Sequence, residues 1–395
     1  MDQDVVTDII SVLNNDELIV ENNKDIDLNI EYPYLIFSRF HLVRALNLCS
    51  KLVLSKSDIT EYNSISFIPI TFNKSLNLCA TNELSHFKMR LDLYGDINNS
   101  LTEPFAISLA VLQKIVKLMG NKVLIYKKDN KYYTRLLDGD LLIDARPINI
   151  DIVTIPGNTT NKIADLGLNN LGKICISVIS LMSSEISNDN KKLFFIGDKC
   201  YFKSPFYYME ADIRTPEMVL SYRDIEFICK LYKYYESNQI MLFNVDTSLS
   251  RLRILLDNIE YQFINSKHSE INLVPQEMDN LMKDSEVSLS FDRFYKIVSL
   301  ATSLPGSSNK ISLKYLNNQL NLSILNNNGN SNFNFPIERL NKGRLYGKEI
   351  FLNASVFKKL LDSFIGVDKI EISLDDIGIT VKNGLLKIFL MNYEN

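Results

Sequence analysis

The spacing of apolar and polar positions changes in a regular order along most of the chain. An apolar run at 33–37 predicts a strand, and apolar residues at three- and four-residue steps over 38–57 predict an amphipathic helix. Three strand-like runs follow, at 64–72, 75–81 and 86–94. A second helix is predicted at 108–119, and three more short strands follow it. The pattern thus predicts a strand, a helix and three strands, twice over.

This order recurs in the rest of the chain. The stretch 119–144 begins at a helix end and continues as three strands, and similar stretches are found at 237–264 and 367–391. Further helices are predicted at 164–184, 221–236, 290–303 and 353–365. Repeats of this length are typical of arrays or rings of similar modules. We therefore predict four segments, which are an N-terminal arm at 1–32 and domains at 33–150, 151–275 and 276–395.

Composition is that of a globular protein, with 46% apolar and 23% charged residues among 395. Nothing approaches the 18 or so consecutive apolar residues of a membrane span, and the N-terminus lacks a signal-peptide pattern, so a cytoplasmic protein without membrane contact is predicted. Five cysteines in separate apolar runs are expected to be reduced core residues. Rich Asn, Ile and Lys content suggests an AT-rich genome, such as that of a bacterium or a phage.

Charge is distributed unevenly. The net charge is -4, and the arm at 1–32 has nine acidic residues against Lys24 alone. On the predicted helices, by contrast, basic residues recur at spacings that place them on one face. In helix order these residues are Arg39, Arg44 and Lys51; Lys114 and Lys117; Lys173 alone on the third; Arg223, Lys230 and Lys233; Arg293 and Lys296; Lys358 and Lys359. Five of the six helices therefore have a basic stripe. Ordinary solvated helix faces are the alternative explanation.

Sequence signatures of catalysis are missing. The chain contains no phosphate-binding glycine loop, no H-E-x-x-H and no C-x-x-C. His41, His86 and His268 are scattered and are expected to be core or surface residues. For His41 the alternative is a position lining the hole of a ring of modules. The DGD at 138–140 and the DD at 375–376 are expected to form turns. We therefore predict no catalytic residues, no metal site and no cofactor.

Several segments resemble the sliding clamps of DNA replication, the DNA polymerase III beta subunit family. LNLCATNEL (76–84) is similar to a family strand that ends in Ala-Thr-Asp, with Asn82 in place of the Asp. FLNASVFKKLLDSF (351–364) and the strands after it are similar to the family's last helix and strands. The arm is extra, and FKSPFYYME (202–210) stands where a family turn is expected. The resemblance implies an α+β fold of three tandem clamp domains, forming half of a homodimeric ring with helices inside and antiparallel sheets outside.

The same resemblance implies function. The basic helix faces would line a hole that holds double-stranded DNA through sequence-independent phosphate contacts. A DNA polymerase and a clamp loader would bind through peptides that insert into a pocket between the second and third domains. Carried over to this sequence, the pocket residues are Pro205, Phe206, Tyr207, Ile240, Leu242, Ile377, Ile379, Ile388, Leu390 and Met391. The alternatives are a structural protein of repeated modules, such as a phage virion component without a DNA role, and an enzyme of unrecognised type.

Overall fold

The computed structural model describes most of the chain after the arm. The described residues are 31–54, 57–95, 100–136, 138–155, 157–182, 191–235, 238–246, 250–265, 286–304, 307–326, 329–339, 347–375, 377–384 and 386–392. The predicted arm lies outside these residues, apart from its last two. The chain divides into two compact units, Met1–Ile155 with Asp257–Tyr261, and Pro156–Leu256 with Gln262–Asn395.

The first unit contains two successive strand-helix-strands repeats. In order, the elements are β1 (Tyr34–Ser38), α1 (Arg39–Cys49), β2 (Ser64–Ile70), β3 (Ser75–Thr81), β4 (Ser85–Asp92), β5 (Phe105–Ser108), α2 (Leu109–Ile115), β6 (Lys122–Lys128), β7 (Lys131–Leu136), β8 (Gly139–Ile143) and β9 (Ala145–Pro147). Short helical turns lie at Thr60–Asn63, Thr71–Asn73, Val116–Leu118 and Ile150–Val153. One sheet has the order β1-β6-β7-β8, and β9, β5, β2, β3 and β4 pair in that order, all antiparallel.

The next part of the chain repeats this order twice more. The first of these repeats is β10 (Asn158–Gly167), α3 (Leu168–Met182), β11 (Lys192–Ile196), β12 (Lys199–Lys203), β13 (Tyr207–Asp212), β14 (Met218–Ser221), α4 (Tyr222–Tyr235), β15 (Gln239–Asp246), β16 (Arg251–Leu256) and β17 (Ile259–Ile264). The second is β18 (Glu286–Ser290), α5 (Phe291–Ser303), β19 (Ser307–Leu316), β20 (Gln319–Asn326), β21 (Gly329–Pro336), β22 (Glu338–Arg339), β23 (Ile350–Asn353), α6 (Ala354–Asp362), β24 (Lys369–Leu374), β25 (Gly378–Asn383) and β26 (Leu386–Met391).

Sheet pairing joins these two repeats within the second unit. A nine-stranded sheet has the order β14-β11-β12-β13-β26-β25-β24-β18-β22, so that β13 of one repeat pairs with β26 of the other. A four-stranded sheet has the order β21-β20-β19-β23, and β10, β15 and β16 pair in that order. The helices meet as well, because the Ser177 hydroxyl on α3 donates to the Ser363 carbonyl after α6 at 3.0 Å.

The core of each repeat lies between its helices and the inner face of its sheets. In the first unit the rings of Phe67 and Phe105 stack with centroids 5.0 Å apart. In the second unit Phe294 of α5 meets Phe357 of α6 edge to face at 5.9 Å. Helices whose apolar side chains all point to one sheet leave the opposite helix face to polar residues. The basic residues within the six helices are all exposed or half-buried, whereas Lys51 and Lys117 lie beyond the ends of their helices.

The predicted order of elements is confirmed, but some predicted helix ends are wrong. The first helix ends at Cys49 instead of continuing to 57, because Leu52 turns into the core and the Leu54 amide donates to the Tyr62 carbonyl. The second becomes a 3-10 turn after Ile115. The third begins at Leu168, since the preceding residues extend β10.

Of the turns predicted at DGD and DD, Asp138 lies in a turn but Gly139 and Asp140 begin β8, and Asp376 lies outside the described residues. Two other turns have the backbone conformation that their residues favour. Asp129 and Asn130 join β6 to β7 with φ of 49° and 59°, and Gly384 follows β25 with φ of 54°. These left-handed conformations suit Asp, Asn and Gly. The side chain of Asp375 accepts bonds from the amides of Ile377 and Gly378, as expected for a turn carboxylate.

The five cysteines are free, four of them buried and Cys229 half-buried, which confirms the prediction of reduced core residues. Burial raises the pKa of Cys79 and of Cys200 to about 12, so both thiols stay protonated and weakly nucleophilic. Among the described residues, no helix combines the length and the apolar character needed to cross a membrane.

Candidate nucleic-acid interface and partner surface

The six helices concentrate positive charge in a chain that is acidic as a whole. They contain eleven basic residues, Arg39, Arg44, Lys114, Lys173, Arg223, Lys230, Lys233, Arg293, Lys296, Lys358 and Lys359. Their acidic residues are four, Asp224, Glu226, Asp292 and Asp362. The whole chain, in contrast, has 43 basic and 47 acidic residues. The excess of positive charge is therefore a property of the helices.

Most of the acidic helix residues do not offset this charge at the surface. Asp224 and Glu226 are buried, and Asp224 accepts bonds from the Ser221 amide and hydroxyl at 2.9 and 2.6 Å, where α4 begins. Asp362 accepts from Lys358 and from the Tyr295 hydroxyl. Of the four, only Asp292 is exposed. The exposed helix faces are thus predominantly cationic.

Five of the predicted DNA contacts are exposed cations whose side chains form no ion pair with another described residue. They are Lys114, Lys117, Lys173, Arg223 and Lys296. Four are on the helices, and Lys117 is in the 3-10 turn that follows α2. Lys359 on α6 also forms no ion pair with a described residue, but it is half-buried. Cations without an internal partner have their full charge available for an anionic ligand such as a phosphate backbone.

Other predicted DNA contacts have protein partners. Lys358 pairs with Asp362 at 3.1 Å, and its ammonium lies 5.4 Å from the centroid of the Tyr295 ring. Burial lowers the pKa of Lys358, but the Asp362 carboxylate and the Tyr295 hydroxyl raise it by more, so the pKa is above the usual lysine value. Lys233 lies over the Tyr234 ring at 5.7 Å and Arg293 over Phe335 at 5.6 Å.

The remaining four predicted DNA contacts differ in their exposure and in their position on the helices. Arg39 begins α1 and is half-buried, as is Arg44, whose guanidinium lies 5.8 Å from the Phe40 ring centroid. Lys51 is exposed, but it follows the end of α1 and so is not part of the helical face on which its spacing from Arg44 placed it. Lys230 is half-buried on α4.

Three of the predicted pocket residues come together at one end of the nine-stranded sheet. The Met391 amide donates to the Phe206 carbonyl at 3.4 Å, and the Asn392 amide donates to the Ile377 carbonyl at 2.7 Å. Phe206 is 56% exposed and Met391 46%, whereas Ile377 is half-buried. We call Phe206, Ile377 and Met391 the end-strand cluster. It places exposed apolar side chains of two repeats beside one another.

A tight turn positions Phe206. The Ser204 amide donates to the Tyr207 carbonyl at 2.8 Å, and the Ser204 hydroxyl accepts from the Phe206 and Tyr207 amides. Tyr207 points inward, and its hydroxyl donates to the Val356 carbonyl of α6 at 2.9 Å. The stretch 202–210, expected in place of a family turn, is therefore the end of β12, this turn and most of β13. Pro205 is exposed within it.

The other predicted pocket residues are core residues. Tyr207, Ile379, Ile388 and Leu390 are at most 3% exposed in the nine-stranded sheet. Ile240 and Leu242 are completely buried on β15, which belongs to a different sheet from the end-strand cluster. These six side chains support the cluster or lie apart from it. Of the predicted pocket residues, Pro205, Phe206 and Met391 are exposed and Ile377 is half-buried.

A cleft that the sequence gave no sign of lies within the second unit. It has a volume of about 440 Å³ and is lined by Asp165, Leu166, Gly167, Asn170, Asp198, Asp212, Ile213, Arg214 and Thr215. Asp165 pairs with Lys162 at 2.7 Å, and Asp198 approaches Arg214 at 4.0 Å. No spacing rule connects these segments, since the cleft forms where the end of β10, a hairpin turn and the segment after β13 meet. Across the part of the chain that the structure describes, no cluster of three or more His, Cys, Asp or Glu is placed to hold a metal ion.

The sequence and the structure were each compared with known proteins. No protein-family model matches the sequence, and no curated protein does either. Solved structures match closely in shape. The DNA polymerase III beta subunit of Thermotoga maritima superposes with a TM-score of 0.73 at 12% identity, covering 91% of this chain and 98% of that one. The chain has the sliding-clamp fold.

Further clamps agree. The sliding clamp of Bartonella birtlesii has a TM-score of 0.73 at 13% identity and covers 92% of this chain and 99% of its own. That of C. crescentus has a TM-score of 0.71 at 15% identity and covers 91% and 98%. The predicted resemblance and the α+β clamp fold are therefore confirmed, for a sequence highly divergent from these clamps. At such identities the likeness establishes the fold.

Proposed function

We propose that this protein is a DNA sliding clamp, a non-enzymatic processivity factor that encircles duplex DNA and tethers the replicative polymerase. Together with the clamp fold, the observation that carries this proposal is the segregation of charge. The helices have eleven basic and four acidic residues, two of the four buried, in a chain with a net charge of -4. A random distribution would give the helices no such excess.

The proposed mechanism is electrostatic and topological. Six helices per chain would line the hole, and their cations would contact phosphates without reading bases. Such contacts are weak at physiological salt, and each neutralised phosphate contributes a slope of about -0.9 to the salt dependence. Weak and uniform contacts permit sliding, while ring closure prevents escape. The proposal places the protein in the cytoplasm of a bacterial or phage-infected cell, where such replication takes place.

The end-strand cluster is the proposed docking site for the polymerase and for a clamp loader. Apolar anchors that enter a preformed site contribute most of the energy of peptide recognition. Phe206 and Met391 offer such a site, because the Ser204 turn holds the Phe206 backbone and pairing with β25 holds the Met391 backbone, while both side chains remain exposed. A peptide with two adjacent large apolar residues fits this arrangement.

Ring closure would require a second copy of the chain. The strands β8 and β21 are at the edges of their four-stranded sheets, and each has unpaired backbone groups on one side. On β8, Leu141 is 36% and Leu142 54% exposed. An exposed edge with apolar side chains favours pairing with another strand. We propose that β8 of one protomer pairs with β21 of its partner, twice in a two-fold symmetric homodimer.

Charge reversal on the helices tests the proposal. The variant Lys173→Glu, Arg223→Glu, Lys296→Glu changes three exposed helix cations, whereas Lys74→Glu, Lys131→Glu, Lys203→Glu makes the same change at exposed positions of turns and strands. We expect the helix variant to lose most of its retention on circular DNA and the second variant to keep it, both with unchanged thermal stability. Equal retention of the two variants would refute the assignment of the helices.

A further inference from the structure

One exposed side chain on the helices does not suit contacts to duplex phosphates. Phe40 on α1 is 52% exposed, on the opposite side of the helix from the buried Leu42, Ala45 and Leu46. The Arg44 guanidinium carbon is 5.8 Å from its ring centroid, and the His41 ring meets it edge-on with centroids 5.5 Å apart. We call Phe40, His41 and Arg44 the α1 aromatic site.

The chemistry of this site differs from that of the other helix faces. A phosphate backbone gains nothing from a phenyl ring, and the bases of a duplex are stacked on one another with their faces covered. Unpaired bases have free faces, which stack on aromatic side chains and on guanidinium planes. Positions one turn apart on a helix project together, so Phe40 and Arg44 present a ring and a cation side by side.

We infer that the α1 aromatic site binds single-stranded nucleic acid by stacking an unpaired base on Phe40, with Arg44 contacting the neighbouring phosphate. The inference rests on the proposed function, since it takes α1 to face DNA. It adds a ligand class that the basic faces alone do not select, namely a stretch of unpaired template next to a primer end. The site would favour a clamp position at a single-strand junction over positions within the duplex.

The composition of the chain permits a direct test. The protein has no tryptophan, so Phe40→Trp would introduce the sole indole. Stacking of a base on an indole quenches its fluorescence. A matched control is Phe72→Trp, because Phe72 is 83% exposed in the short turn between β2 and β3 of the same unit and is not part of α1. The probes are a thymidine oligonucleotide and a blunt duplex of equal length.

We expect the oligonucleotide to quench Phe40→Trp fluorescence and to leave Phe72→Trp unchanged, and the duplex to quench neither variant strongly. In the complementary experiment, Phe40→Ala should weaken binding of the oligonucleotide about tenfold and leave duplex binding unchanged. Equal quenching by oligonucleotide and duplex, equal quenching of both variants, or no quenching would overturn the inference. If the oligonucleotide does not quench Phe40→Trp but that protein is still retained on circular and not on linear DNA, the inference about the α1 aromatic site is wrong and the proposed function stands.

Discussion

Two adjacent lysines on α6 show how far the surroundings of a residue decide its role. Lys358 is held by Asp362 and lies over the Tyr295 ring, whereas Lys359 has no ion-pair partner among the described residues. The spacing of basic residues predicted both as DNA contacts. The structure instead indicates a stabilising role for Lys358 and leaves Lys359 available for a phosphate.

A pair of neutral substitutions separates these roles. Lys359→Gln should reduce the salt dependence of duplex binding by about one unit of slope per protomer and leave stability unchanged. Lys358→Gln should lower the free energy of unfolding by about 1 kcal/mol, because it removes a partly buried ion pair and a cation-π contact. Salt titrations of DNA binding and urea unfolding measure the two effects. An identical pattern for both variants would contradict the distinction.

The sequence does not predict which of two neighbouring aromatic side chains is exposed. Phe206 and Tyr207 are neighbours of similar size and composition, yet Phe206 is exposed and Tyr207 is 2% exposed. Alternation along a strand predicts that neighbours face opposite ways, but it does not say which one faces the core. The Ser204 turn and the bond from Tyr207 to α6 decide this, and both depend on contacts distant in sequence.

At the scale of elements, the end-strand cluster depends on three strands from two repeats. β26 pairs with β13 on one side and with β25 on the other, so the exposed Met391 is fixed beside Phe206. Leu390, one residue earlier, is buried in the same strand. Substitutions of the exposed side chains therefore remove the proposed docking surface and leave the strand intact, whereas a substitution of Leu390 would disturb the strand.

The double variant Phe206→Ser, Met391→Ser should lose most of its affinity for the replicative polymerase, because both apolar anchors are removed from the cluster. Its unfolding temperature should stay close to that of the unaltered protein, since both side chains are about half exposed. Phe72→Ser serves as the matched control. Co-purification or surface binding with the polymerase measures the effect, and an undiminished affinity would rule out the cluster as the docking site.

Element order was predictable because helix and strand periods are local properties of sequence. The six helices and the three strands after each were recognised from spacing alone. Their ends were not, since the end of α1 at Cys49 depends on Leu52 entering the core and on a bond from Leu54 to Tyr62. The cleft beside Arg214 was missed for the same reason, because its lining combines segments that have no common period.

Closure of a ring depends on a second copy of the chain. Substituting Asp for both Leu141 and Leu142 should convert a dimer of twice 45.4 kDa into a monomer, because it places charge on the edge strand β8. Leu84→Asp is a control of similar exposure, located in the turn between β3 and β4. Sedimentation or light scattering measures the mass. A monomer before any substitution, or a dimer after it, would contradict the proposed interface.

Retention on circular and on linear DNA distinguishes a ring that encircles DNA from a protein that only binds it. The protein is concentrated together with a singly nicked circular plasmid, so that protomers can close into rings around the DNA. The DNA is then separated from free protein at moderate salt, before and after it is cut with a restriction enzyme. A ring that encircles DNA should remain on the circle and be released once the DNA is linear, because its retention depends on closure and not on affinity. Equal retention on circular and linear DNA, or none on either, would contradict the proposal that the protein encircles DNA.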